Sequence, residues 1–251
     1  MKEKILITGA GGYIGSITTD MFLQDGFEVV GVDNLSTGYR EPLKFLQKKY
    51  SKGKFRYYKF DLTKNLDSLF SKEKSFKAVV HFAASCSVDE SMKNPQKYFS
   101  NNVSGSQNLL RGLIQEGVNN IIFSSTCAVY GEAQYIPINE NHPINPKNPY
   151  GRSKRMVEET IDWYGNLLGL KYVIFRYFNV CGASDDGFLG DSKKPSLLMV
   201  QNAVRGALGI EPFYLTCPKV DTPDKTPIRD YINVVDLAKA HLLGVKYLLR
   251  G

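Results

Sequence analysis

Tyr150 and Lys154 stand four residues apart in Asn148-Pro149-Tyr150-Gly151-Arg152-Ser153-Lys154. On a helix this spacing puts a phenol and an ammonium on one face, a turn apart. A cation at that distance favours the ionised phenol, which can then act as a base near neutral pH. A second Tyr-x-x-x-Lys, Tyr50 to Lys54, lacks the context, because Gly53 interrupts any helix there. Tyr150 instead follows Pro149 and opens a helical stretch, with Ser124-Ser125-Thr126 closing an apolar run upstream. A hydroxyl at the carboxyl end of a strand lies on the edge where doubly wound sheets bind ligands.

Near the N-terminus, Thr8-Gly9-Ala10-Gly11-Gly12-Tyr13-Ile14-Gly15 follows a strand-like run and opens a helix, the context a dinucleotide fingerprint requires. The spacing G-x-G-x-x-G is not met, since Ile14 stands where its last glycine would fall, but Gly9, Gly12 and Gly15 fit G-x-x-G-x-x-G. Missing side chains let the backbone turn tightly and approach a pyrophosphate held at the helix N-terminus. Asp33 ends the next strand, where a carboxylate accepts from ribose hydroxyls and repels a 2′-phosphate, which favours NAD over NADP.

The elements that position these groups repeat along the chain. Lys4 to Thr8, Glu28 to Val32, Phe55 to Phe60, Ala78 to Phe82, Asn120 to Ser125 and Lys171 to Tyr177 are short apolar or β-branched runs. Ser16 to Gln24, Tyr98 to Glu116 and Ser153 to Leu168 have helical period. Strands apolar along their whole length and alternating with helices imply a parallel sheet covered on both faces, a doubly wound, Rossmann-like α/β fold. After Asn179, Gly182 to Lys194 reads as loop, Leu197 to Leu208 as helix, Pro212 to Pro227 as irregular chain and Val234 to Leu249 as a last helix. The expected organisation is an NAD-binding domain over residues 1–179 and a small, incomplete substrate lobe over 180–251.

Composition narrows the function classes. The 251 residues are 43% hydrophobic and 23% charged, as in an ordinary globular protein. Met1 to Lys4 are polar and run directly into Ile5-Leu6-Ile7, so neither a signal peptide nor a membrane span is expected, and the location expected is cytoplasmic. Cys86, Cys127, Cys181 and Cys217 lack the paired short spacings of metal sites, so free thiols and no metal are expected. The net charge of +7 is scattered, with a modest concentration of lysines from Lys44 to Lys59. That pattern disfavours a nucleic-acid interface and suits a small anionic substrate.

The ordered strings Thr8 to Gly15, Asp33-Asn34, Asp61-Leu62, His81 to Ala84, Asn101 to Val103, Ser124 to Thr126, Val129 to Gly131, Tyr150 to Lys154, Arg176 to Asn179 and Arg229 to Tyr231 resemble the extended short-chain dehydrogenase/reductase family, in its nucleotide-sugar epimerase branch. The resemblance implies NAD-dependent inversion at C4 of a UDP-hexose through a transient 4-keto sugar. Tyr150 would be the base, Lys154 would hold the nicotinamide ribose and, with the positive nicotinamide, lower the tyrosine pKa, and Thr126 would bind the sugar 4-oxygen. It further implies cofactor contacts from Tyr13, Ile14, Asn34, Thr37, Asp61, Leu62, Phe82, Ala83, Ala84, Asn101, Ser124 and Phe178, and UDP-sugar contacts from Asn179, Ser196, Leu197 and Arg229. His81, His142, His241 and Trp163 are expected to be structural.

Relatives of this kind often dimerise through two helices per subunit, which makes Tyr98 to Glu116 and Ser153 to Leu168 the expected surface of a homodimer. Cys86 stands where many relatives carry lysine, and Ser196 where asparagine is common. The resemblance also implies a further stretch beyond a helix like Val234 to Leu249 that supplies a last strand, so an exposed sheet edge, and cofactor binding more robust than turnover, are expected of these residues. Cys127-Ala128 stands where related dehydratases carry Asp-Glu, which disfavours water elimination. A UDP-glucuronate 4-epimerase or another nucleotide-sugar short-chain dehydrogenase stays open, and the triad disfavours a non-catalytic NAD-binding protein.

Overall fold

Ile5, Leu6 and Ile7 point alternately to opposite faces of the first strand, and all are fully buried, so this strand must be covered on both sides. The computed structural model describes residues 3–50, 53–196, 198–215 and 220–250. Its elements are Lys4–Thr8 (β1), Tyr13–Gln24 (α1), Glu28–Asp33 (β2), Arg40–Lys49 (α2), Phe55–Lys59 (β3), Asp67–Lys72 (α3), Phe76–His81 (β4), Val88–Lys93 (α4), Pro95–Tyr98 (α5), Gly105–Gln115 (α6), Asn120–Ser124 (β5), Pro149–Leu168 (α7), Lys171–Phe175 (β6), Asn179–Cys181 (β7), Met199–Ala207 (α8), Tyr231–Asn233 (β8) and Val234–Leu249 (α9).

The first six strands form one parallel sheet in the order β3-β2-β1-β4-β5-β6. The chain reverses its winding between β1 and β4, which opens a crevice at the carboxyl ends of those strands. One sheet face buries Ile5, Ile7, Val29, Phe55, Val80 and Ile122 beneath Phe22, Leu43, Leu46, Ala238 and Leu242 of α1, α2 and α9. The other buries Leu6, Val30, Val79, Ile121 and Phe123 beneath Leu69, Leu109, Leu113, Val157 and Ile161 of α3, α6 and α7. Each such side chain contributes about 2 kcal/mol of transfer free energy. The helix α9, assigned to the second lobe from sequence, thus packs on α1 and shares the main core.

The single helix expected over Tyr98 to Glu116 is interrupted: Phe99–Ser104 is wound as a π-helix between α5 and α6. Such turns concentrate at functional sites, and this one presents Asn101 and Asn102 to the crevice side of β4. Three helices were not apparent from period. In α2 only Leu43 and Leu46 are buried on an otherwise charged helix, and α3 and α4 have six residues each. The second lobe is built on a two-stranded parallel sheet, β7-β8, that no local signal announces. No helix among the described residues is long and apolar enough to cross a membrane.

Candidate active site

The β1–α1 turn is shaped by close backbone approach. Gly9 has φ +73°, and a Cβ on it would come within 2.8 Å of the Ala83 nitrogen. A Cβ on Gly15 would lie 2.0 Å from the Gly9 carbonyl oxygen. On Gly12 it would meet only that oxygen, at 3.3 Å, so Gly12 faces open space. Gly12 caps α1 without any side-chain hydrogen bond, and the first turn contains no acidic residue. Its orphan N–H groups are therefore available to an anion, as a dinucleotide pyrophosphate requires.

Asp33 is 8% exposed at the end of β2, where its two carboxylate oxygens accept from the Gly11 and Leu35 backbone amides at 2.9 and 2.7 Å. Burial pushes its pKa up and those amides oppose the shift. Each oxygen keeps a lone pair, which fits a ribose diol. Asn34 follows, its amide 3.5 Å from Asp61, while Leu62 is buried beyond β3 and Thr37 is exposed in the intervening loop. Tyr13 donates to the Gly182 carbonyl at 2.6 Å, tying this turn to the second lobe, with Ile14 beside it in the core. The residues present thus fit NAD.

At the carboxyl end of β5 the catalytic candidates converge. Asn148 caps α7 by accepting from the Gly151 amide at 2.8 Å, and Pro149 occupies the first turn, which sets Tyr150 at the helix start. The Thr126 hydroxyl, which accepts from the Ala128 amide at 3.1 Å, lies near enough to the Tyr150 phenol to act against the rise in its pKa. Lys154, one turn on, is buried with Nζ 2.7 Å from the Ser124 carbonyl oxygen and 4.8 Å from the Phe123 ring centroid. Desolvation brings its pKa down to about 8, opposed by Cys86 and Glu158.

Without the cofactor, the surroundings of the phenol act against its ionisation. Burial, then the Cys86 and Tyr177 groups, push the phenol well above its ordinary range, and the nearby Thr126 hydroxyl only partly opposes them. Lys154 donates to the strand instead.

Several positioning groups were not apparent from sequence, because each acts through contacts between distant segments. Asn102, 1% exposed, bonds both the amide and carbonyl of Ser85 and reaches Ser153, which in turn donates to the Tyr150 carbonyl at 2.7 Å. Asn101 lies beside it. The Tyr98 ring stands edge-on to Tyr150 at 6.3 Å. The Ser106 hydroxyl donates to the Asn102 carbonyl, so it accepts from Nε2–H of His81, leaving Nδ1 to accept from Thr8. His241 donates through Nδ1 to Leu237 and accepts the Ser124 hydroxyl at Nε2, 2.7 Å away, which turns Ser124 toward α9. Phe82 packs 4.7 Å from the His241 ring, and Ala83 and Ala84 line the turn after β4.

On the second-lobe side, β7 and β8 pair Asn179 with Tyr231, and Asn179 bonds the Asp230 carbonyl, so Asn179 and Arg229 are neighbours. Arg229 is exposed and close enough to the Cys127 thiol to oppose the upward push of burial on that group. Phe178 is half-buried just before β7. Ser196 is not brought to Tyr150: its hydroxyl donates to Glu211 at 2.9 Å within the lobe. Leu197 and Cys217 lie outside the described residues. His142 bonds the Gln134 amide and Pro143 carbonyl, whereas Trp163 is 63% exposed rather than packed in a core.

A doubly wound sheet with a glycine cradle at its switch point and a Tyr–Lys pair on the same edge defines a dinucleotide-dependent enzyme of the short-chain type. The sequence matches the NAD dependent epimerase/dehydratase family over residues 5–247, and the chain belongs to that family. It is 43% identical to the UDP-glucose 4-epimerase of Lacticaseibacillus casei, covering 98% of this chain and 73% of that protein. It superposes on the UDP-glucose 4-epimerase from Brucella ovis in complex with NAD with a TM-score of 0.87 and 39% identity, over 98% of this chain and 74% of that one. The enzyme from Bifidobacterium longum in complex with NAD+ and UDP gives a TM-score of 0.89 and 33% identity, over 97% and 74%.

Proposed function

We propose that the chain carries out NAD-dependent epimerisation at C4 of a UDP-hexose, of the UDP-glucose/UDP-galactose type. The observation that carries this reading is the packing of the first turn of α7, with Tyr150 and Lys154, against the Ser124–Ala128 segment that holds Thr126, on the edge where the glycine cradle opens. NAD, when bound, supplies a reversible hydride acceptor. Tyr150 takes the proton of the sugar 4-hydroxyl and returns it, and Thr126 orients that oxygen and relays the proton. Lys154 in its protonated form places a positive charge beneath the site, and Asp33 with the α1 N-terminus anchors the adenosine and pyrophosphate ends. Because the protein alone raises the Tyr150 pKa, positive charge near the phenol in the loaded site is what frees it to act as base. The C4 hydrogen leaves and returns on opposite faces of the sugar, which inverts the centre.

The dinucleotide is assigned to residues 1–179 together with α9, and the UDP moiety to the second lobe around Asn179 and Arg229. Exposed Trp163, Leu167 and Leu168 on α7 support a homodimer built on this helix and α6. The expected compartment is the cytoplasm.

The test is conversion of UDP-galactose in a coupled assay. Tyr150→Phe is expected to lower kcat by about 1,000-fold while NAD affinity stays within about twofold. Equal turnover by the variant would remove Tyr150 from the reaction.

A further inference from the structure

Glu158 is 1% exposed on α7, one turn beyond Lys154 and two beyond Tyr150. A carboxylate withdrawn from water is costly unless its oxygens are fully engaged, and these are. The Ser125 hydroxyl donates to Oε1, Arg176 grips both oxygens through Nε at 2.9 Å and Nη2 at 2.7 Å, and Arg155 adds Nη1 at 3.2 Å. A buried ion cluster of this kind adds little to stability compared with apolar side chains of the same volume, so its place beside the reacting groups asks for another explanation.

Ser125 stands between the residue whose carbonyl holds Lys154 and the residue whose hydroxyl lies near Tyr150. Its own amide donates to the Phe175 carbonyl at 2.8 Å, and Cys127 donates to Tyr177 at 3.1 Å. Arg176 lies between those two carbonyls, with its guanidinium 5.1 Å from the Tyr130 ring centroid and Nη1 bonded to the Tyr130 hydroxyl. Glu158 therefore clamps the extension of β5, the extension of β6 and the first turns of α7 to one another.

We propose that Glu158 is a positioning residue for epimerisation: through Ser125 and Arg176 it fixes the strand end that holds Lys154 and Thr126, and its negative charge faces Lys154 from the next turn of α7. The proposal rests on the function assigned above. It also predicts a charge effect. Facing Lys154 are Tyr150 and Glu158 on α7, neutral His81 at the end of β4 and Cys86 after it. Glu158 in turn balances Arg155 and Arg176. Replacing Glu158 by glutamine leaves Arg176 without its carboxylate, while Arg155 keeps Glu159 at 2.9 Å, and removes the negative charge facing Lys154, so Lys154 loses its proton at lower pH.

The experiment uses the full chain with 13C-labelled lysine, the Lys154 ε-carbon being assigned from the Lys154→Arg spectrum. In Glu158→Gln the Lys154 titration midpoint is expected to fall by about one pH unit from wild type, and the alkaline limb of kcat to move with it. Ser125→Ala, which removes one tie and no charge, is expected to lower kcat about tenfold with KM and the Lys154 midpoint near wild type. An unchanged midpoint in Glu158→Gln, or wild-type kcat in Ser125→Ala, would overturn the proposal, and the second variant decides it where the first does not fold. The Lys154 titration does not depend on the sugar, so failure of UDP-galactose as substrate would be told apart from failure of the clamp.

Discussion

The cofactor side and the sugar side of the crevice are built differently. Around the β1–α1 turn the chain is closed on itself: Gly9 and Gly15 leave no room for a methyl group, Asp33 is held by two amides, and Thr8, His81, Ser106 and Asn102 form one buried hydrogen-bonded row. Among its described residues the second lobe shows no such interior. Helix α8 buries none of its residues, and Val204, Leu208, Ile210, Tyr214 and Ile228 are more than half exposed. The lobe is tied to the rest by the Tyr13–Gly182 bond, the Lys49–Asp186 pair and the Phe45–Phe188 ring contact. Under the function proposed above, the difference makes affinity for the dinucleotide preorganised, whereas the grip on the sugar nucleotide would depend on a thinly packed lobe that ligand contacts can order.

The comparison breaks most sharply at Gly15. Gly15→Ala forces a methyl carbon to within 2.0 Å of the Gly9 oxygen. A loss of about 3 kcal/mol is expected in urea unfolding, together with loss of NAD binding by calorimetry. A variant as stable as wild type that still bound NAD would show that the turn is not preorganised.

Acid pH tests the buried row at intermediate size. Burial brings the His81 pKa down to about 3 and that of His241 to about 4, both below the ordinary histidine value. The folded protein keeps both neutral while the unfolded chain protonates them, so their contribution is complete above about pH 6.5 and is lost as pH falls toward 4. Urea midpoints measured from pH 7.5 to 4.5 are expected to decline through this window, and a flat profile would contradict the assignment of both rings as neutral.

The smallest effect is expected at the lobe tether. Asp186 is 2.8 Å from Lys49 with both side chains about a third exposed. Asp186→Asn is expected to change stability by about 0.5 kcal/mol or less. A large loss would mean that the second lobe is held more firmly than its exposed surface indicates.

The buried strands were legible because both sheet faces are covered, so their sequences are apolar throughout, and the glycines were legible because their spacing carries a backbone requirement. Tyr150, Lys154 and Thr126 followed from one helical interval and one strand end. Helix α2 was hidden because Leu43 and Leu46 alone mark its buried face, and β7 and β8 because three-residue strands gain their identity only by pairing across about fifty residues. Asn102, Glu158 and His241 look unremarkable in the chain, since their importance lies in which segments they join. The phenol's surroundings were hidden for a related reason: spacing reports that a lysine is near, but not that its hydrogen bond points to Ser124 or that the phenol is buried.

The parallel register of Asn179, Val180 and Cys181 with Tyr231, Ile232 and Asn233 has one more consequence. The excursion between these strands leaves and re-enters at a single stitched seam, so cutting or resizing it would not separate its two roots. Variation in the outer loop can thus be accommodated while Asn179 and the chain around Asp230 stay stitched together.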